Sequence, residues 1–256
     1  MIRFASIGSG SEGNGLIVES GSTRILVDCG FNVAETERRL GRLGLAPADL
    51  AAIVITHEHD DHAGGAARLA RRYEIPVYLT YGTLNAIGAQ GAMIPQLTLI
   101  DSHFPFQIGD LEVHPYPVPH DAREPSQFVF SDGDKRLGLL TDAGASTPHI
   151  ERMLSGIDAL VLECNHDIDL LLNGPYPPSL KRRISGRLGH LDNATAARIV
   201  GGIDCSRLQH FLAAHLSAQN NTPDLARAAM AGALNCEHAW IGIATQADGF
   251  GWRDIV

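Results

Sequence analysis

Thr56-His57-Glu58-His59-Asp60-Asp61-His62-Ala63-Gly64-Gly65 follows directly on the apolar run Ala51 to Ile55. Four metal-binding side chains, His57, His59, Asp61 and His62, therefore fall within six positions where a strand ends and a helix begins. Imidazole nitrogens suit zinc and other borderline divalent ions, and a carboxylate on the same short loop can face the same cavity. Asp60 or Asp61 could instead cap a helix starting near Ala63, but that reading leaves three closely spaced histidines without a role.

Working outward, short apolar and β-branched runs predict strands at Ile2–Ile7, Leu16–Glu19, Arg24–Asp28, Ala52–Thr56, Val77–Thr80, Leu97–Ile100 and Leu111–Pro117. More follow at Ser126–Ser131, Arg136–Thr141, Ala159–Glu163, Phe211–Ala214 and Ala239–Ala244. Helical periodicity covers Ala34–Leu43, Ala63–Tyr73, Pro148–Leu154, Asn193–Gly201 and Asp224–Ala231, the last preceded by Thr222-Pro223 as N-cap and first helical residue. Consecutive hairpin-like strands with interspersed helices fit two helix-covered sheets better than a doubly wound parallel sheet. No linker divides the chain, so one domain over 1–256 is expected, with an insertion or loop at 170–189 near the active site, where Gly174-Pro175-Tyr176-Pro177-Pro178 breaks the pattern.

Composition bounds the function classes. The 256 residues are 45% hydrophobic and 19% charged with a mean hydropathy of -0.01, which disfavours a disordered or fibrous chain. No apolar run reaches the ~18–20 residues of a membrane span, and the N-terminus enters a strand pattern without a signal-peptide core, so a cytoplasmic location with no membrane contact is expected. A net charge of -9 argues against wholesale wrapping of nucleic acid, though not against a local basic groove. Cys29, Cys164, Cys205 and Cys236 are widely spaced and read as free thiols.

The motif His57-x-His59-x-Asp61-His62 after an apolar strand resembles the signature of the metallo-β-lactamase superfamily. Asp28, His120, Asp142 and His215 match the superfamily's remaining positions, so the resemblance runs from the first strands to about Pro223. It implies an α/β fold, a four-layer αββα sandwich with metals at one edge. It also implies a metal-dependent hydrolase with two divalent ions, zinc before manganese or iron: His57, His59 and His120 on one, Asp61, His62 and His215 on the other. Asp142 and a hydroxide would bridge them, since adjacent cations need an anion between them and water there becomes a nucleophile near pH 7. Asp28 reads as orienting a ligand histidine.

The superfamily cleaves several bond types, so other residues must narrow the substrate. His190, twenty-five positions before His215 and opening a helix, is placed as in ribonuclease Z and ribonuclease J relatives. Together with Gly8–Asn14, Glu163–Asp167 and Leu216–Pro223, it makes the chain similar to the YycJ or WalJ branch, which implies a 5′-to-3′ DNA exonuclease with a part in DNA repair. A phosphodiester needs a proton for its departing alkoxide, a role that fits His190 held by Glu163; with Asp61 these form the expected catalytic set. Asn14, His166, Lys181, Arg182, Arg183 and Arg187 are the expected substrate-binding residues, with DNA, or alternatively RNA, as partner. Tyr176 could stack on a base. Two alternatives stay open: a hydrolase of a small cyclic phosphodiester, lactone or thioester, and a non-catalytic protein that binds nucleic-acid ends.

Overall fold

A strand buried on both faces must be apolar at successive positions, with alternate side chains entering different cores. The computed structural model, which describes residues 1–256, shows this directly. The chain opens with the antiparallel strands β1 (Ile2–Gly8), β2 (Gly15–Ser20) and β3 (Thr23–Val27), then adds β4 (Ala52–Val54), β5 (Val77–Thr80) and β6 (Leu97–Ile100) in parallel. In β3, Ile25 and Val27 enter the central core while Leu26 enters the outer one.

The second sheet repeats this plan. β7 (Phe106–Ile108), β8 (Leu111–Pro117), β9 (Ser126–Ser131) and β10 (Arg136–Leu140) run antiparallel. β11 (Ala159–Glu163), β12 (His210–Ala214) and β13 (Gly242–Ile243) follow in parallel. β14 (Phe250–Ile255) returns to pair with β1, giving two seven-stranded sheets. Between them lies a core of 23 buried residues that includes Phe4, Val18, Phe128, Phe130 and Val161.

Helices cover both outer faces. α1 (Val33–Arg42) contributes Leu40, and α3 (Ala66–Tyr73) contributes Leu69 and Ala70, against Leu26 and Ile53 of the first sheet. α5 (Pro148–Leu154), α8 (Asn193–Gly202) and α9 (Pro223–Leu234) place Leu154, Ile199 and Met230 against Leu160 and Leu162 of the second. The result is the αββα sandwich. Caps fix the helix starts: Asp192 accepts from Thr195 N, and Thr222 from Leu225 N with Pro223 next.

Several elements depart from the sequence reading. The expected strand Ala239–Ala244 shortens to β13, because His238–Trp240 closes a 3-10 turn. The expected helix Ala63–Tyr73 is split into α2 (Asp60–Ala63) and α3, because Gly65 N bonds the Cys29 carbonyl while the Asp61 carbonyl accepts from Asn14 N, which diverts the helical hydrogen bond between them. α4 (Tyr81–Ile87), β7 and β14 were not expected, and the 170–189 segment is mostly helical, with the end of α6 (Ile168–Asn173) and all of α7 (Pro178–Ile184).

Candidate metal centre and cleft

Parallel strands aim their carboxyl ends at one edge of a sheet, where ligands of open α/β sheets gather. Asp28 follows β3, His57 follows β4, Asp142 follows β10, Glu163 ends β11 and His215 follows β12. Of the five non-glycine residues with positive φ, Glu74 and Asn235 are helix C-caps; the other three are Asp28 (62°), Asp142 (51°) and His215 (53°). Left-handed backbone is costly for such residues and persists where the surroundings over-determine it. Here it turns three strand ends toward a common point.

The histidine nitrogens converge. His57 Nε2 lies 3.0 Å from His59 Nδ1, which lies 3.3 Å from His120 Nε2. On the other side Asp61 Oδ2 is 3.3 Å from His62 Nε2 and 3.4 Å from His215 Nε2. Asp142 stands between: its Oδ2 is 3.0 Å from His62 Nε2, and its Oδ1 is 3.5 Å from His215 Nε2 and 4.0 Å from His120 Nε2. The arrangement brings together all seven expected ligands.

A metal fits these donors. Ligand atoms on a tetrahedral zinc with ~2.0–2.1 Å bonds are about 3.3–3.4 Å apart, close to the spacing observed. A single proton could satisfy one nitrogen pair but not three nitrogens meeting at one point. Asp142 Oδ2 is buried without a hydrogen bond, since its approach to His62 is close but not aligned as one. Such an orphaned carboxylate oxygen is expensive unless a cation faces it.

Outer bonds fix the rings. His62 Nδ1 donates to Asp28 Oδ2 at 2.8 Å, while Asp28 Oδ1 accepts from Thr56 N. Thr56 Oγ1 lies 2.9 Å from His57 Nδ1, and His120 Nδ1 donates to the Gly189 carbonyl. Each bond turns the ring's Nε2 inward, as ligand histidines require. Asn14, expected to meet substrate, is buried instead: its Nδ2 lies 3.3 Å from Asp61 Oδ2 and 3.1 Å from His62 Nε2, so it steadies the centre from behind.

His190 sits outside the set of seven. Its Nδ1 is 2.7 Å from Glu163 Oε1, and its ring stacks on His215 with centroids 5.5 Å apart. Glu163 is fully buried, and its Oε2 accepts from Ala143 N and Leu191 N. Burial favours the neutral His190 ring, but Glu163 and Asp142 outweigh it and raise the pKa to about 9. Burial likewise opposes charge on His62 and His215, and there too Asp142 prevails and raises both. His57 is pushed well down, by burial first and by His62 next.

The centre opens into a cleft of about 400 Å³ whose walls include Asp60, Asp61, Asp121, Asp142 and His190. Across it lie Tyr176 and, from α7, Leu180, Arg183 and Ile184. Arg183 Nε donates to Asp121 Oδ2 at 2.6 Å. Of the basic residues expected to bind substrate, Arg183 alone lines the cleft; Lys181 Nζ donates to the Leu172 carbonyl, and Arg182 and Arg187 point into solvent. His166 is 1% exposed and does not line the cleft; its backbone bonds Asn193 behind the site. The segment is sewn to the centre by Asp121 N bonding the Leu188 carbonyl, and a side chain at Gly144 would collide with the Arg187 and Gly189 backbone.

The sequence reading missed Thr56, Asp121 and Asn165, whose Nδ2 lies 3.3 Å from His215 Nδ1. Thr56 and Asp121 do adjoin the expected ligands His57 and His120, which was their only signal.

Fold and site together define a metal-dependent hydrolase. The family described as "Beta-lactamase superfamily domain" matches residues 23–211. "Exodeoxyribonuclease YycJ" of Bacillus anthracis is 37% identical over 232 residues, covering 88% of this chain and 86% of the relative. "Exodeoxyribonuclease WalJ" of Streptococcus pneumoniae is 31% identical over 247 residues, covering 94% and 91%. Among solved structures, the metallo-beta-lactamase fold protein YhfI from Bacillus subtilis superposes with a TM-score of 0.75 at 17% identity, covering 99% of this chain and 100% of that one. The chain belongs to the metallo-β-lactamase superfamily, in its YycJ/WalJ branch. No helix is long and apolar enough to cross a membrane.

Proposed function

We propose that this protein is a cytoplasmic exonuclease with two zinc ions that releases nucleotides from the 5′ end of DNA. The observation that carries the nuclease reading is the His190–Glu163 pair beside Asp142. An ester with a good leaving group needs no acid, whereas an alkoxide leaving from phosphorus does. With Nδ1 bound to Glu163, His190 Nε2 is free to deliver that proton at the wall of the cleft. The DNA substrate and the exonucleolytic mode are supported by the names of the two relatives, and the 5′ direction by the resemblance of the motifs.

His57, His59 and His120 would hold one ion, and Asp61, His62 and His215 the other, with Asp142 between them. Two divalent cations supply charge for the phosphoryl oxygens and lower the pKa of water toward ~7. The cleft's own lining holds four aspartates, and its one guanidinium is already paired with Asp121, so metal charge would add to that of His190 in drawing in a phosphodiester. Asp28, Thr56 and the Gly189 carbonyl hold the ligand rings in register, and Arg183 retains unbonded Nη groups for a phosphate. The 170–189 segment would act as an insertion that closes one end of the cleft.

The test is metal content measured alongside digestion of end-labelled duplexes. The metal-loaded protein should release nucleotides from 5′-phosphorylated ends, and Asp142→Ala or His190→Ala should slow release by about 10²-fold or more. Full metal occupancy with DNA intact and a lactone or thioester turned over would refute the reading.

A further inference from the structure

A second depression of about 500 Å³, lined by Gly82, Asn85, Ala86 and Arg123, lies between α4 and the turn after His120. It adjoins the metal centre through the backbone. Arg123 N donates at 2.7 Å to Glu58 Oε1, and Glu58 sits between the ligands His57 and His59. Asp121 lines the cleft and Arg123 lines this groove, two residues apart, so at most about 7 Å of backbone separates them.

The carboxylates here face the protein. One Glu58 oxygen is held by Arg123 N and the other is buried, while Glu124 Oε2 accepts from Gly82 N at 2.6 Å. Arg123 is exposed and pairs with no carboxylate, unlike Arg183. Next to Gly82, Tyr81 is 62% exposed, and neither its hydroxyl nor the Asn85 amide has a partner within the protein. An unpaired guanidinium on one wall of a groove, with an exposed aromatic ring on the helix that forms the other wall, is the chemistry that tracks a single strand, through phosphate contact and base stacking.

We propose that this groove holds the body of the DNA strand as it leaves the metal centre, with Arg123 on a backbone phosphate and Tyr81 and Asn85 on a neighbouring base. This rests on the nuclease reading above. The experiment compares kcat/KM for a single-stranded 20-mer with that for bis-p-nitrophenyl phosphate, which carries one phosphodiester and so has no second phosphate for Arg123 and no nucleobase for the groove. For Arg123→Gln and for Tyr81→Ser, the ratio of the two efficiencies should fall about tenfold, through KM for the 20-mer. The salt dependence of log KM should lose about 0.7 in slope for Arg123→Gln alone.

An unchanged ratio in both variants, with the wild type cleaving both substrates, overturns the groove and leaves the nuclease reading standing. Equal losses on both substrates overturn it as well, because the residues would then be building the centre. A metal-loaded wild type that cleaves neither substrate removes both claims together.

Discussion

Replacing Glu163 by Gln separates proton delivery from metal binding. In the wild type Glu163 Oε1 accepts from His190 Nδ1 at 2.7 Å, while Oε2 accepts from Ala143 N at 3.0 Å and Leu191 N at 3.1 Å. A glutamine has one acceptor oxygen, and the two backbone donors claim it, so its NH₂ group must face His190 Nδ1. The ring then turns Nδ1 into an acceptor and loses the carboxylate that stabilises its charged form. A charge-assisted hydrogen bond of this kind contributes about 1.5–3 kcal/mol. At about 1.4 kcal/mol per decade, kcat on DNA should fall roughly ten- to 150-fold. The assay pairs DNA with bis-p-nitrophenyl phosphate, whose nitrophenolate departs without a proton and should lose less than about threefold. Metal content should stay at the wild-type level, since none of the seven expected ligands is altered. Equal losses on the two substrates, or none on DNA, would refute the acid role and reduce the pair to a packing feature.

Three further outcomes follow from the same geometry. Asn14→Ala removes the amide behind Asp61 and His62 and should weaken metal retention about 10- to 100-fold, read by competition with a chromophoric chelator, while the circular dichroism spectrum is preserved. Chelation should lower Tm in the wild type more than in Asp142→Asn, because metal held as proposed would bind the native state alone, with the buried Asp142 among its ligands. Glu19 is buried, which alone would raise its pKa, but Arg3 and Arg24 bond it and lower it below the usual carboxylate range. A depressed native pKa stabilises above the unfolded value of about 4.3 and is lost as pH falls through the native one. Glu19→Gln should therefore cost stability at pH 7 in urea unfolding, and the gap from wild type should narrow below about pH 4.

How much of this was legible in the sequence follows from where each bond is made. Ser126–Ser131 and Ala159–Glu163 could be read to the residue because both faces of those strands are buried and each has a contiguous apolar centre, Phe128 to Phe130 and Ala159 to Leu162, bounded by polar residues. β14 was not, because Phe250–Ile255 lies at a sheet edge with only its two end residues buried and pairs with a strand at the opposite end of the chain. α4 carries Gly82 and Asn85, weak helix formers, and relies on Thr80 accepting from Thr83 N. The ligand histidines stood out by residue type and spacing. Their supports did not, since Thr56, Asn165 and the Gly189 carbonyl are common groups that act through bonds to ring nitrogens 1, 50 and 69 positions away.

The left-handed residues show why residue type could announce the centre while its shape stayed hidden. Asp28, Asp142 and His215 each end a strand in a conformation that glycine would adopt more readily, yet each must carry a side chain that only Asp or His supplies. The cost of that backbone, of order 1–3 kcal/mol per residue, is offset by hydrogen bonds around them: Asp28 with Thr56 and His62, and His215 N with Ser9 Oγ. Chemistry and conformation thus compete at the same three positions. Asp28→Gly should relieve strain in the backbone yet free His62 Nδ1 from its only carboxylate, so metal affinity should fall while Tm of the chelated protein changes little. If Tm of the chelated form falls by as much as that of a core truncation, Asp28 is holding the fold and the strain account fails.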